Sequence, residues 1–419
     1  MKNSFEEFLR LIILSLCIGA VASKASTEAQ AVSPEADIKI NSHSEATNAD
    51  TDRLISAAII DPVSLALDQN LAKHTNVGFE AKDAEGDDSP YMILPIPSYE
   101  SGFGFGLDVA ALAFLMPDKD NSDAPPSQVG LMASYAENET WSAGAVGTLH
   151  LLNDDLRIDT ALIYFDMNYR FWGTGGESGD DSEYIDINQK APLVYANAKY
   201  QIFPKTYLGL GLFASEIDST YKLRGLDLPP ELEEIEEKNS LVALEIPFQY
   251  DTRSNQQYPR DGWLADASAM IYDDALGSDV DTETVMLGLN KYITLRDRDV
   301  LAFRGMTNYT GKGAPFYLQA SIGGREDIRG YEYGRYTDRM SYSVQAEYRW
   351  QVSDEWILTG FLGAAEVANQ YDQFFKNVLP AGGIGLRYQL KEMFDMTIAV
   401  DVAVGKHDTH FYFAIGEAF

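Results

Sequence analysis

The chain of 419 residues is 45% hydrophobic and 12% aromatic, and its 32 Lys and Arg stand against 64 Asp and Glu, a formal charge of -32. That balance excludes nucleic acid as a partner, because phosphate binding needs basic patches, and it disfavours anionic membrane surfaces for the same reason. After the N-terminus there is no run of about 18 apolar residues, so helical membrane spans are excluded. A barrel carries its lipid face in alternate residues and escapes that test.

Residues 1–22 read as a secretory signal peptide, with an apolar stretch over 9–22 that follows Lys2 and includes Arg10 and ends in the small-x-small site Ala20-Val21-Ala22. The single cysteine, Cys17, lies in this stretch behind Leu16, where a lipoprotein would need a small residue. The mature chain is therefore expected to have neither disulfide nor thiol chemistry. Residues 23–90 are rich in Ala, Ser, Asp, Glu and Thr without sustained periodicity, and read as a flexible periplasmic segment. An amphipathic helix over 52–73, interrupted by Pro62, leaves open a small plug entering the barrel.

From Tyr91 onward short alternating segments are separated by turn residues. The predicted strands cover 91–96, 103–115, 128–135, 141–151, 157–169, 192–202, 207–217, 241–250, 263–272, 284–295, 300–309, 341–350, 356–367, 382–390, 396–404 and 410–419. Within 341–350, Tyr342, Val344, Ala346, Tyr348 and Trp350 fall on one face, and Ser341, Ser343, Gln345, Glu347 and Arg349 on the other. Aromatics close both ends of the apolar face, which suits a lipid-facing strand around a polar lumen. The fold class is all-β: a transmembrane antiparallel β-barrel of about 16 strands over 91–419, an even number within the bacterial range.

Long connections at 172–190, 218–240, 273–283 and 311–340 alternate with short ones at 153–154, 203–205, 296–299, 353–354 and 391–392, with 116–127 a longish exception. Such barrels have short periplasmic turns and long extracellular loops, so both chain ends fall in the periplasm and 311–340 is extracellular. That loop carries Gly323-Gly324-Arg325-Glu326-Asp327-Ile328-Arg329-Gly330-Tyr331, placed to fold inward into the lumen. A guanidinium there needs an anionic partner, and Glu347 lies on the lumen face of the next strand.

The double glycine followed by Ile328-Arg329-Gly330-Tyr331, preceded by Asp251-Thr252-Arg253 and then Pro259 and Gly262, resembles the BamA/TamA superfamily of outer-membrane assembly and translocation barrels, also called the bacterial surface antigen domain. The resemblance covers roughly residues 91–419 and includes the strand spacing and the terminal Phe419. It implies that Arg329 pairs with acidic residues on the two strands after the loop, Glu347 being the first. The second departs from the pattern: the family's Gly-Phe-x-Asp reads Gly360-Phe361-Leu362-Gly363, and Glu366 has the parity of the other face. Fewer charge contacts to the loop are therefore expected than in the family.

Asp251, Arg253, Pro259 and Gly262 are expected to form a structural periplasmic turn. Phe411, Phe413, Ile415 and Phe419 share a parity and resemble the C-terminal signal by which outer-membrane barrels are recognised for insertion, with Glu417 on the same lipid-facing parity. The acidic runs 177–186 and 231–237 read as solvated extracellular loops, the alternative being divalent-cation binding at the lipopolysaccharide surface. The second run also follows Pro229-Pro230, which leaves open one short exposed helix there. His150, His407 and His410 occur without any catalytic or metal-binding motif, so no enzyme activity, cofactor or metal is expected.

By resemblance, the function is outer-membrane protein insertion or polypeptide translocation in the bacterial outer membrane. The implied partners are membrane lipid and lipopolysaccharide, client polypeptides, a separate periplasmic partner, and the barrel-assembly machinery for the chain's own insertion. Family members that assemble other proteins carry POTRA domains of βααββ pattern, which 23–90 does not display. The alternatives are a passive or gated diffusion channel and a structural surface protein. Pro95 and Pro97 each remove a ladder donor from the first strand, so its pairing with the last is expected to be short.

Overall fold

The structure, a computed structural model, describes residues 91–419 apart from 101, 116–126, 181–183, 223–233, 256–257, 297, 326 and 391–395. The expected signal peptide and periplasmic segment, and nearly all of the long turn 116–127, lie outside the described residues. The chain folds in order as β1 (Tyr91–Glu100), β2 (Gly104–Leu115), β3 (Ser127–Ala136), β4 (Trp141–Leu151), β5 (Leu156–Phe171) and β6 (Ile185–Phe203). It continues as β7 (Thr206–Lys222), β8 (Glu234–Asp251), β9 (Gly262–Tyr272), β10 (Thr282–Leu295), β11 (Asp299–Thr310), β12 (Ala320–Ile322) and β13 (Tyr336–Asp338). The last five are β14 (Met340–Gln351), β15 (Trp356–Ala368), β16 (Leu379–Leu390), β17 (Met396–Val404) and β18 (Thr409–Ile415).

Sixteen strands close into one antiparallel barrel, each beside its chain neighbours, with β11 against β14 and β1 against β18. The remaining two, β12 and β13, pair as a ribbon inside the loop between β11 and β14. The end carrying turn 152–155 and the C-terminus is called lower here, and the end carrying loop 311–339 upper. Along the wall, Leu131, Leu162, Leu210, Leu362 and Ile384 point outward and stay exposed. Aromatics collect at the two rims: Phe105, Tyr135 and Trp141 above, and Tyr200, Trp350, Trp356 and Tyr388 below. This is the outer surface a bilayer requires, with closure leaving few backbone groups unpaired.

The strands β6, β7 and β8 are much longer than the sequence predicts, at 19, 17 and 18 residues. A strand of 19 residues rises about 60 Å along its own axis, and even tilted near 40° it covers about twice the band's height of about 25 Å. The reason is an inversion of the alternation. In the lower part of β6, Val194, Ala198 and Tyr200 face out, whereas above them Asp186, Asn188 and Lys190 do, opposite the buried Ile185, Ile187 and Ala191. In this upper part the wall is apolar inside and polar outside, as in a water-soluble sheet. The run 231–237 follows suit: Glu234 to Glu237 belong to β8, so the short helix left open by the sequence is not present there, because their alternation pairs with β7 at Tyr221↔Ile235 and Thr220↔Glu236.

Candidate functional site

The tip of loop 311–339, between β12 and β13, lies in the lumen, and Arg329 is wholly buried. Its Nη2 is 2.7 Å from Glu347 Oε2, off the hydrogen-bonding axis, and its Nη1 donates to Asp401 Oδ2 at 3.1 Å. The guanidinium also stacks over Phe361, 3.5 Å from the ring centroid. Two further arginines complete the cluster. Arg349 donates to Glu347 at 2.8 Å and lies 3.7 Å from Glu417, while Arg387 donates to Asp401 at 2.7 Å and to Glu417 at 3.1 Å. Three guanidinium groups thus face three carboxylates, each within 4 Å of at least two opposite charges. A buried ion without such partners costs several kcal/mol, which is why the cluster is charge-balanced.

The contact with Asp401 overturns the expectation of sparse anchoring. Asp401 on β17 supplies the second acid, in place of the strand position occupied by Gly363. At Gly363 a Cβ would lie 2.8 Å from the Gln345 side chain, so the space is filled from β14 instead. From there Gln345 Nε2 donates to the Asp327 carbonyl and its Oε1 accepts from Arg329 Nε at 3.5 Å. Gly385 of β16, directly beside Asp401 on the neighbouring strand, leaves room for that acid, since a Cβ there would stand 1.9 Å from the Asp401 carboxylate.

The rest of the motif is tied to the same strands. Asp327 accepts from Ser343 Oγ and from Gly323 N–H at 3.1 Å, and Ile328 is fully buried against Ile322, Val367 and Leu379. Gly330, at φ +112°, brings its backbone against Val404 and Gly405, where a Cβ would be 3.1 Å from the nearest atom, and its N–H donates to Tyr412 Oη at 3.0 Å. Tyr331 Oη donates to the Pro380 carbonyl at 2.7 Å and accepts from Lys406 N–H. Gly324 N–H closes the loop neck on the Tyr331 carbonyl.

The C-terminus departs from its sequence reading. Phe411 points outward and Phe413 stands in β18, but the chain turns inward at Gly416, φ +95°. Past that turn the strand parity no longer holds. Glu417 is therefore not on the lipid side: it reaches Arg387 and accepts from Thr397 Oγ1 at 2.7 Å. Phe419 is 5% exposed, packs with Tyr292, Val300 and Ala302, and its carbonyl accepts from Arg349 Nη2 at 2.7 Å. Arg325 grips the same segment, donating to the Gly416 carbonyl at 2.5 Å and to that of Glu417 at 3.3 Å. β18 ends at Ile415, and Phe419 of the expected signal thus lies inside the barrel while Phe411 faces out.

At the lower end Arg253 clamps Asp251 through its Nη2 at 2.8 Å and its backbone N–H at 3.0 Å. Gly262, φ +106°, lies where a Cβ would be 2.2 Å from the Thr252 carbonyl, and Pro259 lies in the turn 252–261 between them. The neighbouring Tyr258 is buried with its ring 5.5 Å from the Arg349 guanidinium, so this turn closes the floor of the charge cluster.

At the upper end the acidic run 177–186 is spoken for in part by protein partners. Asp180 accepts from Tyr336 Oη at 2.7 Å and Lys406 Nζ at 2.5 Å, with His407 Nε2 at 2.8 Å. Burial pulls its pKa up, but the bonds from Lys406, Tyr336 and His407 outweigh that and bring it down to about 2. Arg335 adds bonds to the Gly179 carbonyl and to Asp408. Below this lid Phe316, Tyr317 and Leu318 of the loop pack among inward apolar side chains of β5 to β9, with Phe171 stacked on Phe316 at 4.4 Å.

Sequence reasoning missed Asp401 and Phe361 as loop contacts and Arg387 as a member of the charge cluster. Asp401 was findable, as the only charge in β17, on the parity opposite Ile398, Val400 and Val402.

A membrane barrel whose lumen holds an arginine-tipped loop by charge is the class of protein this geometry defines. The Omp85 superfamily domain matches residues 168–419, more than half the sequence, and the chain belongs to the Omp85 superfamily. Among solved structures it is similar to BamA from Haemophilus ducreyi lacking POTRA domains 1-3, at TM-score 0.56 and 15% identity, covering 84% of this chain and 78% of that one. It is also similar to CdiB from Acinetobacter baumannii (TM-score 0.51, 13% identity, 77% and 58% covered) and CdiB from Escherichia coli (TM-score 0.53, 8% identity, 78% and 63% covered). The chain thus spans less than two thirds of either CdiB structure, and at these identities the likeness is one of fold. Comparison with curated proteins gives no match. Omp85 family barrels are non-enzymatic and reside in the bacterial outer membrane, and this chain folds as such a barrel.

Proposed function

We propose that this barrel assists the insertion or translocation of polypeptides at the outer membrane by opening between β1 and β18, working with a separate periplasmic partner. The observation that carries this reading is the seam. β1 and β18 share one register pair, Tyr99↔Phe413, whereas β17 and β18 pair over seven residues and β1 and β2 over ten. Pro95 and Pro97 share a parity, so the two donors they remove lie on one edge of β1, and its other edge is paired throughout. An edge left short of partners is a template on which an extended client segment adds by β-augmentation. The apolar packing of Phe316, Tyr317 and Leu318 against β5 to β9 places loop side chains in the extracellular side of the lumen, which speaks against a passive channel as the resting function.

In this reading the Arg329 loop is the brace of the wall beside the seam, and membrane lipid and lipopolysaccharide surround the barrel. The test is a disulfide between Tyr99→Cys and Phe413→Cys, with Cys17 replaced by Ser. Locking the seam is expected to abolish the cellular phenotype of the intact protein, with recovery on reduction. A locked barrel that retains full function while conducting steadily in planar bilayers would favour the channel instead.

A further inference from the structure

The upper turn 369–378, between β15 and β16, presents aromatic rings that strand alternation does not place. Glu366 of β15 stands directly opposite Tyr342 of β14 and so has the outward parity, yet it is buried. Its carboxylate accepts three successive backbone N–H groups, from Phe375 at 2.6 Å, Lys376 at 2.9 Å and Asn377 at 2.7 Å, and the Tyr342 hydroxyl donates to it at 3.1 Å. A carboxylate gathering consecutive amides fixes the path of a turn. Phe375 is thereby held at φ +68°, a left-handed conformation that a bulky residue adopts only under constraint. Phe375 is 82% exposed and Tyr371 72%. The rings of Phe374 and Phe375 lean on Tyr342 at 5.2 and 5.6 Å between centroids. A strained backbone and a buried carboxylate thus hold a cluster of aromatic rings outward from the wall.

The height of the cluster identifies what it meets. Glu366 is ten residues along β15 from Trp356, which with Tyr388 marks the lower aromatic rim. Ten residues rise about 33 Å along a strand and about 25 Å along the barrel axis at a tilt near 40°, the height of an apolar band. Between the two levels Leu358, Leu362 and Ile384 cover the outer wall. The turn is therefore continuous with the lipid-facing surface and stands at its upper edge, where amphipathic and aromatic rings partition favourably. We infer that residues 371–375 form a membrane anchor whose rings insert among the acyl chains of the outer leaflet beside β14 to β16, positioned by Glu366.

The inference rests on the outer-membrane reading of the barrel, and the experiment separates the two. In a Cys17→Ser background, single spin labels are placed at Phe375→Cys, at Leu362→Cys in the middle of the wall, and at Ser353→Cys in a lower turn. The proteins are reconstituted in phosphatidylcholine vesicles, and collision with oxygen is compared with collision with a water-soluble nickel chelate. The label at 375 is expected to match that at 362, oxygen-accessible and protected from the chelate. If it matches 353 the anchor is overturned, and if it is immobile and shielded from both reagents the turn packs on protein and the anchor is equally overturned. A chelate-exposed label at 362 would instead sink the membrane reading itself. Adding Glu366→Gln should raise chelate access at 375 while leaving 362 unchanged; an unmoved 375 would remove Glu366 from its positioning role and the argument with it.

Discussion

Replacing Arg329 by Ala removes one charge from a cluster of three cations and three anions, so the remaining site carries a net excess of one buried negative charge. Breaking a buried pair costs about 3 to 5 kcal/mol when the partner is left alone. Here neither acid is left alone, because Glu347 keeps Arg349 at 2.8 Å and Asp401 keeps Arg387 at 2.7 Å. The expected cost is therefore at the low end, about 3 kcal/mol, including the lost stacking on Phe361. Glu347→Ala is the mirror case, leaving one excess positive charge, and should cost about as much. The double variant restores neutrality, so the two losses should fall short of additivity by about 1 to 3 kcal/mol. Urea unfolding of the barrel in phosphatidylcholine vesicles, followed by tryptophan fluorescence and extrapolated linearly, measures all four corners of the cycle. Additivity to within about 0.5 kcal/mol would refute the pairing. Arg329→Lys should fall between, since it keeps the charge but loses the planar fork and the stacking.

Three further outcomes follow from other parts of the molecule. A closed hydrogen-bonded wall resists detergent at room temperature, so boiled and unboiled samples should migrate differently on a detergent gel, and identical migration with helical circular dichroism would contradict the barrel. Asp180 titrates at about 2 in the folded lid, below the usual carboxylate value, so its contribution is complete above about pH 4 and is lost as pH falls through about 2; pepsin cleavage within 172–184 should rise over that window, and Asp180→Asn should be cut readily throughout. Phe316→Asp places an unpaired carboxylate in the apolar cluster under the lid, a burial that costs more than the packing can offset; bilayer conductance should rise well above that of the parent, and no change would mean that the cluster is not the seal.

Within 340–351 the fold was legible almost residue by residue, because a strand with lipid on one side and a polar lumen on the other writes strict alternation of Tyr342, Val344 and Ala346 against Ser343, Gln345 and Glu347. The same rule failed for β6 above residue 192. Ile185 and Ile187 alternate with Asp186 and Asn188 just as regularly, but with the sense reversed, because water rather than lipid lies outside there. A search tuned to apolar outward faces reads that inversion as a loop. Glu417 failed for another reason: parity carries across a residue only while the backbone stays extended, and Gly416 at φ +95° ends that. Asp401 is a lone charge in β17, two strands beyond the β15 position where the family motif has its acid, and the loop tip lies against the wall from β14 to β17, which brings it within reach of Arg329.

The loop is held from two sides by unlike forces, and this decides which part of the barrel is free to move. On the β5 to β9 side Phe316, Tyr317 and Leu318 are buried in an apolar cluster, and on the β14 to β18 side Arg329 is buried among charges. Withdrawing the loop would expose the first and unbalance the second, a change of many kcal/mol. Parting β1 from β18 breaks one register pair. The seam is therefore the element with the smaller opening free energy, and the loop is not independent of it. Arg325 donates to the carbonyls of Gly416 and Glu417, and Glu417 in turn meets Arg387 and Arg349. In the proposed reading, a client strand that pulled β18 outward would have to draw residues 416–419 from these partners, so the arginine cluster would set the free energy against which the seam opened.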